Sequence, residues 1–194
     1  HFDMPKLLHF STDEVYGDVL TGEKTEESIL EPSNPYSASK AAAEMLVHAY
    51  GRTYGIDYQI VRSTNNYGPR QYPEKLIPKI IECITEGRKI PLHGDGTYVR
   101  DWIYVKDNVD GIYKVCFAEK KNELWNMCAY NYLQNIEVVN KLCEWMEVDD
   151  PTSAIKYVDN RIGQDARYSI SSEKSRTELG WKPNHPTLYN FLGD

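Results

Sequence analysis

Two short apolar strands bracket one long helical stretch at the start of this chain, and that succession restricts the fold more than any other feature. Lys6 to Phe10 (KLLHF) reads as a buried strand. Ser37 to Tyr54 reads as a helix, with Pro35 just before it as a start signal and small residues Ala38, Ala41, Ala42 and Ala43 suited to close packing. Asp57 to Arg62 (DYQIVR) reads as a second strand. Strand, helix, strand in this order predicts a β-α-β unit of a parallel sheet, hence an α/β fold. Open α/β sheets bind ligands beyond the carboxyl ends of their strands. Here those ends carry STDEVYG (Ser11 to Gly17) and the loop STNNYGPRQ (Ser63 to Gln71).

Beyond the second strand the pattern becomes mixed. Helices are expected over Leu76–Glu86, Asp107–Ala118, Ile136–Met146 and Glu173–Leu179. Short strands are expected over Lys89–His93, Tyr98–Val105, Leu124–Met127 and Ile155–Val158, the first two flanking the turn GDG at Gly94 to Gly96. The division that follows is a partial Rossmann-like domain over residues 1–70 and a smaller mixed α/β substrate-binding region over 71–194. Segments near 89–118 are expected to return to the sheet. A dinucleotide fold opens with a strand and a glycine-rich turn. None is present, because GDGTYV at Gly94 neither follows a proper strand nor opens a helix. The chain is therefore expected to be the later part of a Rossmann-like domain, and to be inactive by itself.

A net charge of −7 argues against a general nucleic-acid binder, which normally shows a basic face. It leaves room for a small anionic ligand held by a few local arginines and lysines. No apolar run approaches the roughly 20 residues of a membrane span, and the first residues show no signal-peptide pattern. Cys83, Cys116, Cys128 and Cys143 are scattered without a C-x-x-C pair, which reads as buried thiols in a reducing compartment and no metal site.

The chemistry starts with Tyr36 and Lys40 in NPYSASK. Four residues apart on a helix, they share one face. A phenol titrates near pH 10, too high for a base at neutral pH, and a nearby cation favours the phenolate. The pair is therefore read as a base for a sugar or alcohol hydroxyl. STDEVYG places Thr12, Asp13 and Glu14 in a row directly after an apolar strand. RSTNNYGPRQYPEKLIPK (Arg62 to Lys79) is dense in amides and cations at a strand end.

Taken together, STDEVYG, NPYSASKAAAE, NNYGPRQYPEKLIPK, PLHGDGTYVRDWIYV and ELGWKP resemble the extended short-chain dehydrogenase/reductase superfamily, and within it the nucleotide-sugar 4,6-dehydratases. The resemblance covers nearly the whole chain, from the middle of the cofactor domain onward. It implies an NAD-dependent enzyme converting dTDP-glucose or UDP-glucose to the 4-keto-6-deoxy sugar nucleotide. It implies Asp13 as acid and Glu14 as base for loss of water across C5 and C6, with Thr12 beside Tyr36 at the C4 oxygen. Ser11, Tyr36, Lys40 and Asn66 are implied on the cofactor side. Thr12, Asn65, Lys75, Leu76, Pro91, Leu92, His93, Arg100, Asn135, Arg161 and Gln164 are implied on the nucleotide-sugar side, with Arg100 and Arg161 as diphosphate anchors. A homodimer and a cytoplasmic location are implied as well, the Tyr36 helix being one candidate interface.

Two departures from the bacterial pattern stand out. His93 takes the place of an aromatic residue that stacks on the base, and RIGQDARY has Ile162 and Gln164 where a proline and a histidine are usual. Both leave the choice of thymidine or uridine nucleotide open. Asp13 argues against a 4-epimerase or decarboxylase, which usually carry a small residue there. The missing glycine-rich turn favours a third reading, a non-catalytic fragment or binding module.

Overall fold

In the computed structural model, which describes residues 6–188, strand β1 (Leu7–Thr12) pairs in parallel with β2 (Tyr58–Ser63), and β2 with β6 (Glu123–Met127). Helix α1 (Pro35–Tyr54) makes the crossover between β1 and β2, completing the expected β-α-β unit. Its start is fixed chemically. Pro35 occupies the first turn, where its missing N–H costs nothing. Asn34 Oδ1 accepts from the Ser37 amide at 2.9 Å, and Gly55 closes the far end in the left-handed conformation. The buried stripe is Ser37, Ala41, Glu44 and Val47. This corrects the expected alanine face, since Ala38 and Ala42 are exposed. One member of the stripe is a glutamate.

Central β2 is buried along Tyr58–Arg62, as a parallel strand covered on both faces must be. β1 is an outer strand of this sheet, with Phe10 and Leu7 exposed at 53% and 41%. The loop expected over Ser63–Gln71 contains a short strand, β3 (Asn65–Tyr67). It pairs in parallel with β5 (Val99–Tyr104), which pairs antiparallel with β7 (Tyr132–Gln134). Strand β4 (Ile90–His93) pairs in parallel with β8 (Ile155–Val158). The strands flanking the GDG turn thus take different partners.

Helices α2 (Leu76–Thr85) and α4 (Asn135–Trp145) cover this second region. Ile77, Ile80, Val138, Val139 and Leu142 bury against β4, Tyr67, Trp102 and Tyr104. Helix α3 (Val105–Cys116) leads back to the first sheet. Within 89–118, this helix packs on that sheet and Ile103 of β5 joins its core. The strand that rejoins it is β6, whose Trp125 and Met127 pack with Val61, Ile103, Val115 and Trp181. Two short helices complete the described elements, α5 (Pro151–Ala154) and α6 (Glu173–Glu178). Cys83, Cys128 and Cys143 are buried free thiols, whereas Cys116 at the end of α3 is exposed, against expectation. No helix among the described residues is long and apolar enough to cross a membrane.

Candidate active site

The chain leaves β1 through a single turn of 3-10 helix, Asp13–Tyr16. Thr12 caps it, its Oγ1 accepting from the Glu14 amide at 3.3 Å and donating to Asp13 Oδ1 at 3.2 Å. Gly17 ends the turn at φ 72°, and a Cβ there would collide with the Glu31 carbonyl. The turn therefore depends on glycine at this position.

The neighbouring acids Asp13 and Glu14 occupy different surroundings. Asp13 is 2% exposed and its Oδ2 is buried without a hydrogen-bond partner. Its carboxyl is pushed up to about 7, first by burial and then by the negative charges of Glu14 and Asp101; Thr12 and Arg100 oppose the rise. Glu14 faces a cavity of about 850 Å³, and its Oε2 accepts from the Tyr168 hydroxyl at 3.4 Å.

Tyr36, in the first turn of α1, also faces this cavity. Its phenol lies above the ordinary range, opposite to the lowering expected from Lys40. Burial is the largest cause, followed by Glu14 and Asp13, with a Thr12 hydrogen bond acting the other way. Lys40 instead donates to the Phe10 carbonyl of β1 at 2.5 Å.

Ten residues assigned to the substrate line the same cavity: Asn65, Lys75, Leu76, Pro91, Leu92, His93, Arg100, Asn135, Arg161 and Gln164. They arrive from β3, the start of α2, β4, β5, the start of α4 and the 161–164 segment. Thr12 lies behind the wall, with 9% exposure. Arg100 is built in: its guanidinium donates to the carbonyls of Val99 (2.7 Å), Asp165 (2.9 Å) and Ala166 (3.4 Å) and lies 4.4 Å from the Tyr168 ring centroid. Arg161 is exposed, and its Nε donates to His93 Nε2 at 3.2 Å. The Asp159 carbonyl, 2.8 Å from His93 Nδ1, selects the tautomer with the proton on Nδ1, which leaves Nε2 free to accept.

On the cofactor side, Ser11 Oγ is buried and unpartnered at the end of β1. A hydroxyl without a partner, close in sequence to the Lys40 anchor at Phe10, suits a polar ligand. Asn66 is engaged elsewhere. Its Nδ2 donates to Ser63 Oγ and the Thr64 carbonyl, and its Oδ1 accepts from Asn108. Its place in the packing is that of a brace between β3 and α3.

Tyr168, which touches both Glu14 and Arg100, and Trp102 and Gln71 in the cavity wall join the site without any motif in the sequence that marks them. Tyr168 lies in RIGQDARY, a string read for its departures and not for its aromatic residue.

Residues 2–187 match the family model described as GDP-mannose 4,6 dehydratase. A low-salt glycan biosynthesis protein of Haloferax volcanii is 42% identical over 93% of this chain and 57% of its own length. The dTDP-glucose 4,6-dehydratase of Xanthomonas campestris is 42% identical over 93% and 54%. Among solved structures, the DesIV dTDP-glucose 4,6-dehydratase of Streptomyces venezuelae, with NAD and TYD bound, superposes with a TM-score of 0.92 at 40% identity, over 96% of this chain and 57% of that one. A UDP-glucuronic acid 4-epimerase of Bacillus cereus superposes with a TM-score of 0.92 at 25% identity. The chain spans little more than half the length of the curated relatives it matches. With these motifs set around one cavity, the chain belongs to the GDP-mannose 4,6 dehydratase family.

Proposed function

We propose that the protein is an NAD-dependent nucleotide-sugar 4,6-dehydratase. The observation that carries this reading is the Asp13–Glu14 pair. Two adjacent carboxyls lie at the end of one strand, one buried with its titration moved to about 7 and the other facing the cavity beside Tyr36. Removing water across C5 and C6 needs a base for the C5 proton and an acid for the C6 hydroxyl, and two carboxyls in unlike surroundings divide those tasks.

In this reading Arg100 and Arg161 hold the diphosphate, the buried Arg100 as a fixed anchor and Arg161 as the outer one. Lys75, Leu76, Pro91, Leu92, His93, Asn135 and Gln164 surround the nucleotide, and Asn65 meets the sugar. Tyr36 Oη receives the proton of the C4 hydroxyl, with Thr12 hydrogen-bonded beside it. The resulting 4-keto group acidifies C5. Glu14 removes the C5 proton, and Asp13 gives its proton to the departing C6 hydroxyl. Ser11, Tyr36 and Lys40 would hold NAD, which when bound supplies the hydride acceptor at C4, the hydride returned to C6 and a positive charge favouring the Tyr36 phenolate. The product, a 4-keto-6-deoxy sugar nucleotide, suits deoxysugar biosynthesis. NAD and TYD in the Streptomyces relative support the choice of cofactor and ligand class.

The buried free thiols favour a reducing, cytoplasmic setting. Exposed Met45, Leu46, Tyr50 and Tyr54 on α1 support a homodimer paired through that helix.

The test uses the full-length protein with dTDP-glucose and, separately, UDP-glucose. A 4-keto product without net NADH is expected. Steady NADH release, or carbon dioxide from a uronic-acid substrate, excludes the reading. Asp13→Asn is expected to stall water loss while C4 oxidation persists. Wild-type turnover in that variant would remove Asp13 from the acid role.

A further inference from the structure

The glutamate in the buried stripe of α1 opens a line of polar contacts that the chemistry above does not use. Glu44 is fully buried. Arg62 of β2, 3% exposed, meets it as a fork, with Nε 3.0 Å from Oε1 and Nη2 2.5 Å from Oε2. Arg62 Nη1 donates to the Tyr16 hydroxyl at 2.6 Å, and its guanidinium carbon lies 4.6 Å from that ring's centroid. The Tyr16 hydroxyl in turn donates to Asn126 Oδ1 of β6 at 3.0 Å. Four elements are joined: α1, β2, the Asp13–Tyr16 turn and β6.

Two of these carry the reacting groups. Tyr36 and Lys40 are on α1, with Glu44 one turn beyond Lys40. Tyr16 closes the same single turn that holds Asp13 and Glu14. Thr12 caps this turn at its start, and the Tyr16 hydroxyl anchors its end. The apolar contact between the two elements is small, Val15 and Tyr16 on Ala41. Such a contact excludes water but fixes no direction. A guanidinium fork with one further donor directed at a phenol does fix a direction. Stability alone gives little reason for the arrangement, because a buried ion pair is costly to desolvate and apolar residues of similar volume often serve as well.

We propose that Glu44, Arg62 and Tyr16 are positioning residues that set the Tyr36 helix against the Asp13–Glu14 turn. The proposal rests on the dehydratase reading for what is positioned, and on the geometry alone for the positioning itself.

The test takes three variants in the full-length protein. Tyr16→Phe removes one hydroxyl and keeps the buried ring. Glu44→Gln keeps the shape and removes the charge. The double variant Glu44→Leu with Arg62→Met replaces the ion pair with apolar volume, which should restore stability. All three are expected to lose about 10- to 100-fold in kcat, the scale of a small misplacement of reacting groups. KM for the nucleotide sugar should stay within about twofold, since uniform binding is untouched. A double variant as stable as wild type with kcat still depressed supports positioning. Recovery of kcat together with stability overturns it.

A second measurement needs no activity. In Tyr16→Phe the amides of Glu14, Gly17 and Glu31, which bond to or within the turn, should exchange at least about tenfold faster, as expected of a locally loosened unit. Unchanged exchange at all three overturns the proposal whatever the reaction is. A wild-type protein inactive on both nucleotide sugars would overturn the dehydratase reading instead, leaving the exchange result to judge the positioning.

Discussion

Asp13 is held where its ionised form is disfavoured, and that has a cost as well as a use. Its titration moves from about 4 in an unfolded chain to about 7 in the fold, through burial and the charges of Glu14 and Asp101. The folded state therefore binds its proton more tightly than the unfolded state. This contribution to stability is fully present below pH 4, declines as pH rises through 7 and is absent above. Three pH units of displacement correspond to roughly 4 kcal/mol as an upper figure. Asp13→Asn, which cannot ionise, should therefore be more stable than wild type at pH 8, by about 2–4 kcal/mol in urea denaturation, and nearly equal to it at pH 4. Equal midpoints at pH 8 would show that the carboxyl carries no such penalty. Under the proposed function the same shift sets the alkaline limb of the rate: water loss should weaken as pH rises through about 7, because an acid must carry its proton.

Helix α1 shows why part of the site was legible in the sequence and part was not. Asn34 and Pro35 mark its start with side-chain chemistry that acts locally, so a start near this point could be read directly. Tyr36 and Lys40 stand out in the sequence because one helical turn separates them. Glu44 was passed over because an amphipathic pattern is sought in apolar residues, and here a buried position is polar and satisfied across space by Arg62. β3 and β7 span three residues each, too few for any alternation to show. The direction of the Tyr36 shift was missed for a related reason: the sequence gives the i, i+4 distance, but the carboxylates facing the phenol come from another element. The start of α1 supplies its own test. Asn34→Ala removes the acceptor for the Ser37 amide and should cost about 1 kcal/mol of stability. Because Tyr36 lies in that first turn, kcat should fall in the same variant. Asn34→Ser, which preserves a cap, should recover both, and recovery of neither would place the role of Asn34 outside capping.

The cavity is assembled from segments far apart in the chain, and its two arginines are attached to the molecule in different ways. Arg100 donates to three backbone carbonyls and stacks on Tyr168, joining β5 to the 165–168 segment. Ser33 Oγ donates to Asp165 Oδ2 at 2.5 Å, which ties that segment to the start of α1. Arg161 is exposed and bonded to His93 alone among the described contacts. The same chemical group is thus built into the fold at one position and lies exposed on the cavity wall at the other. If the proposed function holds, thymidine diphosphate binds the native state only and should raise the melting temperature of the full-length protein. At 100 times Kd the gain is about 2.7 kcal/mol. Arg161→Ala should leave the unliganded melting temperature within about 1 °C of wild type, as expected for an exposed substitution, and abolish most of the ligand-induced rise. Arg100→Ala should lower the unliganded value by several degrees, because three carbonyls, that of Asp165 in a buried contact, lose this donor and the Tyr168 ring loses its partner. If both variants lost only the ligand response, Arg100 would be a binding residue and nothing more. If both lost only stability, neither would hold the diphosphate.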